Sequence, residues 1–216
     1  MDRIEIKRLA KEKIKGNKWN IWWPFLVIIV LENLVSGIFT PSVEIDYTNL
    51  ETLSTMHVTP TYYVSTGIIS IIFAVILAGY YKYLLTFVRT GEFDSKTIIE
   101  TIKAKWIDVL VAEILVSIIV FFCSLLFVIP GIIMALAYAM AVLLVIDKDV
   151  AGNDSLAKSR EMMKGYKWDY FVFLLSFLGW IILTPFTLCL LLIWLVPYML
   201  VAAIIYYDKL QENSGK

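Results

Sequence analysis

Two carboxylates, Glu32 and Glu113, lie deep inside long apolar runs of this 216-residue chain. If such a run crosses a bilayer, an ionised acid at its centre costs about 2.5–3.5 kcal/mol, so it must face protein or water, or take up a proton. Two readings are open. The pair forms a proton-sensitive or cation-binding site between the first and third runs, or each is structural, a neutral acid in an interhelical hydrogen bond or one near enough to an interface to snorkel out. Asp108 and Asp169 stand at the edges of their runs. Little else has the spacing for catalysis. His57 is the single histidine and falls in a polar stretch, so neither a zinc site nor a histidine-based triad can be assembled. The chain has no glycine-rich phosphate loop and no Gly-x-Ser-x-Gly. It reads as non-enzymatic, with no metal or other cofactor. Cys123 and Cys189 sit within apolar runs and read as small packing residues.

The runs that carry these acids define the class. Hydrophobic residues make up 60% of the chain and the mean hydropathy is +0.77, whereas soluble domains hold about 45–50% apolar residues. Six stretches are apolar enough to span: about 19–39, 62–87, 107–128, 131–147, 168–185 and 187–207. A single helix over 107–146 would reach about 60 Å, twice the roughly 30 Å hydrocarbon layer, so two spans joined by a turn at Pro130-Gly131 are predicted there. The last pair is broken near Pro185.

The 19 Lys and Arg residues fix the orientation. With both termini inside, 7 precede the first span, 5 surround the second loop, 5 the fourth, and 2 lie in the tail. None lies in the three opposite loops, the largest of which carries Glu44, Asp46 and Glu51. Basic residues collect on the side from which they are not translocated. The expectation is a multi-pass protein of a bacterial plasma membrane with both termini cytoplasmic.

Short amphipathic segments flank the spans. Residues 1–18 hold a surface helix with Ile6, Leu9, Ala10 and Ile14 on one face. A second is expected over about 95–105, capped by Asp94 or Ser95, and a third from Asn153 or Asp154 through Lys164. Their basic residues Lys7, Arg8, Lys11, Lys15, Lys18, Lys105, Lys164 and Lys167 are candidates to face anionic lipid headgroups, at about 1 kcal/mol each. The partner implied is the bilayer. Basic clusters without interleaved aromatic residues do not suit nucleic acid.

The chain also repeats. Lys15-Gly16-Asn17-Lys18-Trp19 matches Lys164-Gly165-Tyr166-Lys167-Trp168, with Ala104-Lys105-Trp106 a weaker third copy, and the later two hairpins end alike in Asp147-Lys148 and Asp208-Lys209. Three units of one surface helix and two spans would explain this. Lys-Trp as a plain marker of the inner interface would explain it too. Pro24, Pro185 and Pro197 interrupt spans, either as kinks satisfied by neighbours or as breaks that build a transport site.

The run Phe127-Val128-Ile129-Pro130-Gly131-Ile132-Ile133, then Tyr138-Ala139-Met140-Ala141, then Ser159-Arg160-Glu161-Met162-Met163-Lys164-Gly165-Tyr166-Lys167-Trp168 resembles a bacterial integral-membrane family, domain of unknown function 975, typical of Gram-positive bacteria. Ser176-Phe177-Leu178-Gly179-Trp180 and Trp194-Leu195-Val196-Pro197-Tyr198 resemble it as well, so the likeness covers nearly the whole chain. Met134 and Leu136 depart from the more polar residues expected after the Pro-Gly turn. The resemblance implies six spans and supplies no catalytic residues. The fold class expected is all-α and polytopic, with six transmembrane helices as three hairpins and short amphipathic interfacial helices. The function expected is transport, sensing or export of an amphiphile, a lipid or peptide, in envelope homeostasis. The alternative is a regulatory or immunity-type subunit acting through a membrane protein partner.

Overall fold

The structure is a computed structural model, described here for residues 2–39, 60–187 and 190–214. His57, Cys189 and the acids of the first loop lie outside the described residues. Among the described residues the chain is all-α, with no strand. The order is α1 (Arg3–Ile14), α2 (Lys18–Phe39), α3 (Pro60–Thr90), α4 (Lys96–Leu126), α5 (Val128–Tyr138), α6 (Ala141–Lys148), α7 (Gly152–Met162), α8 (Lys167–Leu175), α9 (Leu178–Leu183) and α10 (Leu190–Ser214).

Among the described residues five helical runs are long and apolar enough to cross a membrane: Lys18–Phe39, Thr61–Thr90, Lys96–Leu126, Val128–Lys148 and Leu190–Asn213. The fifth expected span, 168–185, is α8 and α9 together, which meet α7 at 90°. Seventeen residues rise only about 26 Å, short of a roughly 30 Å hydrocarbon layer, and the run breaks at Ser176-Phe177.

Burial is uneven along the bundle. Tyr80, Tyr83, Leu84 and Leu85 of α3 are buried, as are Leu144 and Val145 of α6 and Val201, Ala202, Tyr206 and Tyr207 of α10. These lie toward the end of the bundle that gathers the basic segments, called the basic end below. Toward the other end α2, α3 and α4 expose large apolar side chains: Leu34 and Ile38, Tyr63 and Val64, Phe121, Phe122, Leu125 and Leu126. A bilayer solvates such a belt without penalty, whereas water would not.

Each break in the helices has a physical cause. Pro24 has no amide to donate to the carbonyl four residues earlier, that of Asn20. The Tyr83 hydroxyl donates to that carbonyl at 2.8 Å, and the Tyr80 hydroxyl to the next, Ile21, at 2.8 Å. Pro24 is therefore a kink satisfied by a neighbouring helix. Seven residues of α3 lie beyond Tyr83, so α3 extends about 10 Å past this contact toward the basic end.

The fourth span breaks between α5 and α6 at Ala139-Met140. Ser159 of α7, fully buried, mends it. Its hydroxyl donates to the Ala137 carbonyl at 2.9 Å and accepts from the Met140 amide at 3.2 Å.

Several expectations are corrected. The turn joining the third and fourth spans is at Phe127, which is extended, and not at Pro130-Gly131. Pro130 sits in the first turn of α5, where a missing amide hydrogen removes no helical bond. The surface helix expected over 95–105 is not separate: α4 runs unbroken from Lys96, with Asp94 accepting from the Lys96 amide at 3.0 Å. At the other two junctions Gly16 and Gly165 adopt φ of +94° and +86°, which ends the surface helix and turns the chain into a span. The aligned position in the weaker copy is Lys103, which favours helix, so the two segments fuse. The third surface helix begins at Gly152, without help from Asn153 or Asp154. Asp108 of α4 accepts from the Gly152 amide at 3.1 Å, and a Cβ at Gly152 would lie 2.3 Å from the Asp108 carbonyl oxygen.

The two surface helices with a terminal glycine share a register. Ile6, Ala10 and Ile14 of the first segment and Ser155, Ser159 and Met163 of the second sit at one constant offset, and all six are buried. The repeat is structural at these two junctions.

Candidate functional site

Glu113 and its neighbours on α4 form the lining of a cavity because one helical face collects them. Val116, Ser117 and Val120 follow at three, four and seven residues, the spacing of a single face. α5 and α6 supply Ala135, Tyr138, Ala139, Val142 and Leu143 from either side of the mended break. Tyr81 of α3, Tyr170 of α8, and Leu200, Ala203 and Ile204 of α10 complete it. The cavity measures about 380 Å³. Its space comes from small side chains: Ser117, Ala135, Ala139 and Ala203 stand where larger residues would fill the gap.

The walls are apolar and the polar groups are few. Among the described residues no protein group hydrogen-bonds or ion-pairs with the Glu113 carboxyl, or hydrogen-bonds with the Ser117, Tyr81, Tyr138 or Tyr170 hydroxyls. Glu113 is close enough to Tyr81, and Tyr81 to Tyr170, to interact electrostatically. A concave apolar site with a small set of convergent polar groups is the usual form of a small-molecule site. Its placement at a discontinuous helix matches the way membrane proteins tolerate irregular backbone, where it lines a cavity.

Glu32 takes no part. It is half-buried on α2, which packs against α3 and α10, whereas Glu113 faces the cavity from α4. The expected site between the first and third spans is not formed, because α3 and α10 flank α2 in place of α4.

The basic residues divide. Lys7 and Lys105 have partners within the protein. The Lys7 ammonium donates to the Ser176 carbonyl at 2.8 Å and lies 4.1 Å from the centre of the Phe177 ring. It thus caps the broken end of α8, since the backbone there leaves carbonyls unpaired. Burial, with the nearby Lys11 charge, holds the Lys7 ammonium below its usual range. Lys105 pairs with Asp149, whose carboxyl it holds below the usual carboxylate range. Arg8 makes a loose exposed pair with Glu12 at 3.9 Å. Lys11, Lys15 and Lys18 are exposed on α1 and the start of α2. Lys164 and Lys167 line a surface hollow of about 470 Å³ with Arg160 and Glu161. The apolar faces of α1 and α7 are covered by the bundle: α1 lies on α10, and α7 on α4 and α6.

A second polar cluster, at the basic end, escaped the sequence reading. Arg89, near the end of α3, grips Asp147 through Nη1 at 2.5 Å and Nη2 at 3.0 Å. It also grips Asp208 of α10 through Nη2 at 2.6 Å and Nε at 3.1 Å. Tyr207 and Gln211 donate to the same Asp147 oxygen at 3.1 and 3.0 Å. The final helix of each of the three hairpins therefore contributes one charged side chain to one knot. The repeated Asp147-Lys148 and Asp208-Lys209 endings were the signal available, and they lacked only the basic residue between them.

No curated protein and no solved structure matches the chain. One family model, described as protein of unknown function (DUF975), matches residues 1–141 and 125–214. The matched segments span almost every residue from the first surface helix to the last span, and the chain belongs to that family.

Proposed function

We propose that this is a non-enzymatic protein of a bacterial plasma membrane, with both termini cytoplasmic, that binds an amphiphile in the Glu113 cavity as a step in sensing, moving or exporting it. The observation that carries the reading is the cavity itself: apolar walls, an acid without a protein partner, and a broken span along one side. Ser117, Ala135 and Ala139 are exposed, so the cavity is open along α4 and α5, where a bilayer would lie. An amphiphile already dissolved in the leaflet has a lateral way in. The basic end, with Lys11, Lys15, Lys18 and Lys164 outward, suits an anionic inner leaflet. A regulatory or immunity-type subunit acting through a membrane partner has only the exposed apolar faces in its favour, and lipid contact accounts for those.

Filling the cavity tests the reading. Ala139→Leu adds a side chain to the exposed rim of the cavity. Native mass spectrometry of protein taken from its own membrane should show a bound amphiphile on the wild type and none on the variant. Equal occupancy in both, or a wild type that carries nothing, overturns the reading.

A further inference from the structure

The amphiphile reading leaves the head group open, and the chemistry of the cavity narrows it. Resting on that reading, we propose that the ligand is a lipophilic monocation, an amine or quaternary ammonium on an apolar chain, with Glu113 as its counter-ion.

Four observations converge. Glu113 is the single ionisable carboxylate among the lining residues, and no Lys, Arg or His stands with it. A ligand of one positive charge balances the site, while an anionic one meets an uncompensated acid in low dielectric. Tyr81, Tyr138 and Tyr170 also line the cavity, and aromatic faces hold ammonium groups within about 6 Å of the ring centre. The acid is alone. A hard metal cation needs about six oxygen ligands, which one carboxylate and a few hydroxyls do not provide, so the charge belongs on an organic group. Finally, Val116, Val120, Val142, Leu200 and Ile204 give an apolar bed for the rest of the molecule. The competing occupant of Glu113 is a proton, which neutralises the acid but leaves the tyrosine-lined volume without a function.

Three probes of matched size and different charge separate these cases: decyltrimethylammonium, net-neutral decyldimethylamine N-oxide, and decyl sulfate. Binding is measured by equilibrium dialysis against the full chain in phosphatidylcholine nanodiscs at pH 7.5, with empty nanodiscs subtracted. The expected result is saturable one-to-one binding of the cation, about tenfold or more tighter than the N-oxide, and none for the sulfate. Glu113→Gln should weaken cation binding about tenfold and leave N-oxide binding unchanged. Should that variant fail to fold, Glu113→Met, apolar and of similar length, removes the same charge without filling the cavity and should weaken cation binding alone. Equal binding of cation and N-oxide, with both variants silent, overturns the cationic assignment while the amphiphile reading stands. Saturable binding of none of the three overturns both.

Discussion

Removing Arg89 tests the knot that joins the three hairpins. Asp147 is only 4% exposed in its side chain, Asp208 25% and Arg89 37%. Breaking a fully buried pair by deleting one partner costs about 3–5 kcal/mol, because the other charge stays behind in low dielectric. Here the guanidinium is partly wet, and Asp147 keeps the bonds from Tyr207 and Gln211. Discounting for that exposure, Arg89→Ala should cost about 2–3 kcal/mol. Asp208→Asn, on the wetter side, should cost about 0.5–1 kcal/mol. For a chain of this length the first loss corresponds to roughly 5–10 °C in Tm. The assay is thermal unfolding in lipid nanodiscs of the single variants Arg89→Ala, Asp147→Asn and Asp208→Asn and of the two double variants. The coupling energy between positions 89 and 147 should exceed that between 89 and 208 by about 1 kcal/mol. Replacement of Arg89 and Asp147 together by Met and Leu should fall within about 1–2 kcal/mol of the wild type, since the buried charge goes with its partner and only the wetter Asp208 is left unpaired. Equal couplings, or an Arg89→Ala variant as stable as its parent, would refute the account.

The kink at Pro24 makes a similar test possible. Tyr83→Phe should lose about 1 kcal/mol in the wild type, and clearly less in a Pro24→Ala background where the helix amide is restored; an identical loss in both would separate the hydroxyl from the proline. The proposed orientation predicts that a membrane-impermeant amine reagent leaves Lys96 and Lys158 unmodified in intact cells. Labelling of either from outside inverts it.

The spans were readable from the sequence because hydrocarbon demands a length of apolar chain, which leaves its mark residue by residue. Breaks were harder. Pro130-Gly131 looked like a turn, yet proline is well tolerated in a first helical turn, and the chain reverses at Phe127, an ordinary apolar residue. The interruption at Ala139-Met140 has no proline or glycine to announce it; it exists because Ser159, twenty residues on, offers a hydroxyl to both sides. Glu113 stood out as an acid in an apolar run, but nothing in the sequence tied Tyr81, Tyr138 and Tyr170 to it until the fold turned them to one cavity. Arg89 was counted only as one more positive charge. Its role depends on two aspartates 58 and 119 residues away, a distance at which periodicity is silent.

The engagement of α1 has a bearing on how the molecule is made. Ile6, Ala10 and Ile14 pack away on α10, Lys7 reaches Ser176, and Glu5 meets Lys209 at 3.0 Å. These residues are synthesised well before their resting places; Lys7 and Ser176 are 169 residues apart. Until α8 and α10 are in place this helix has nowhere to lodge, so its docking is a late step of assembly.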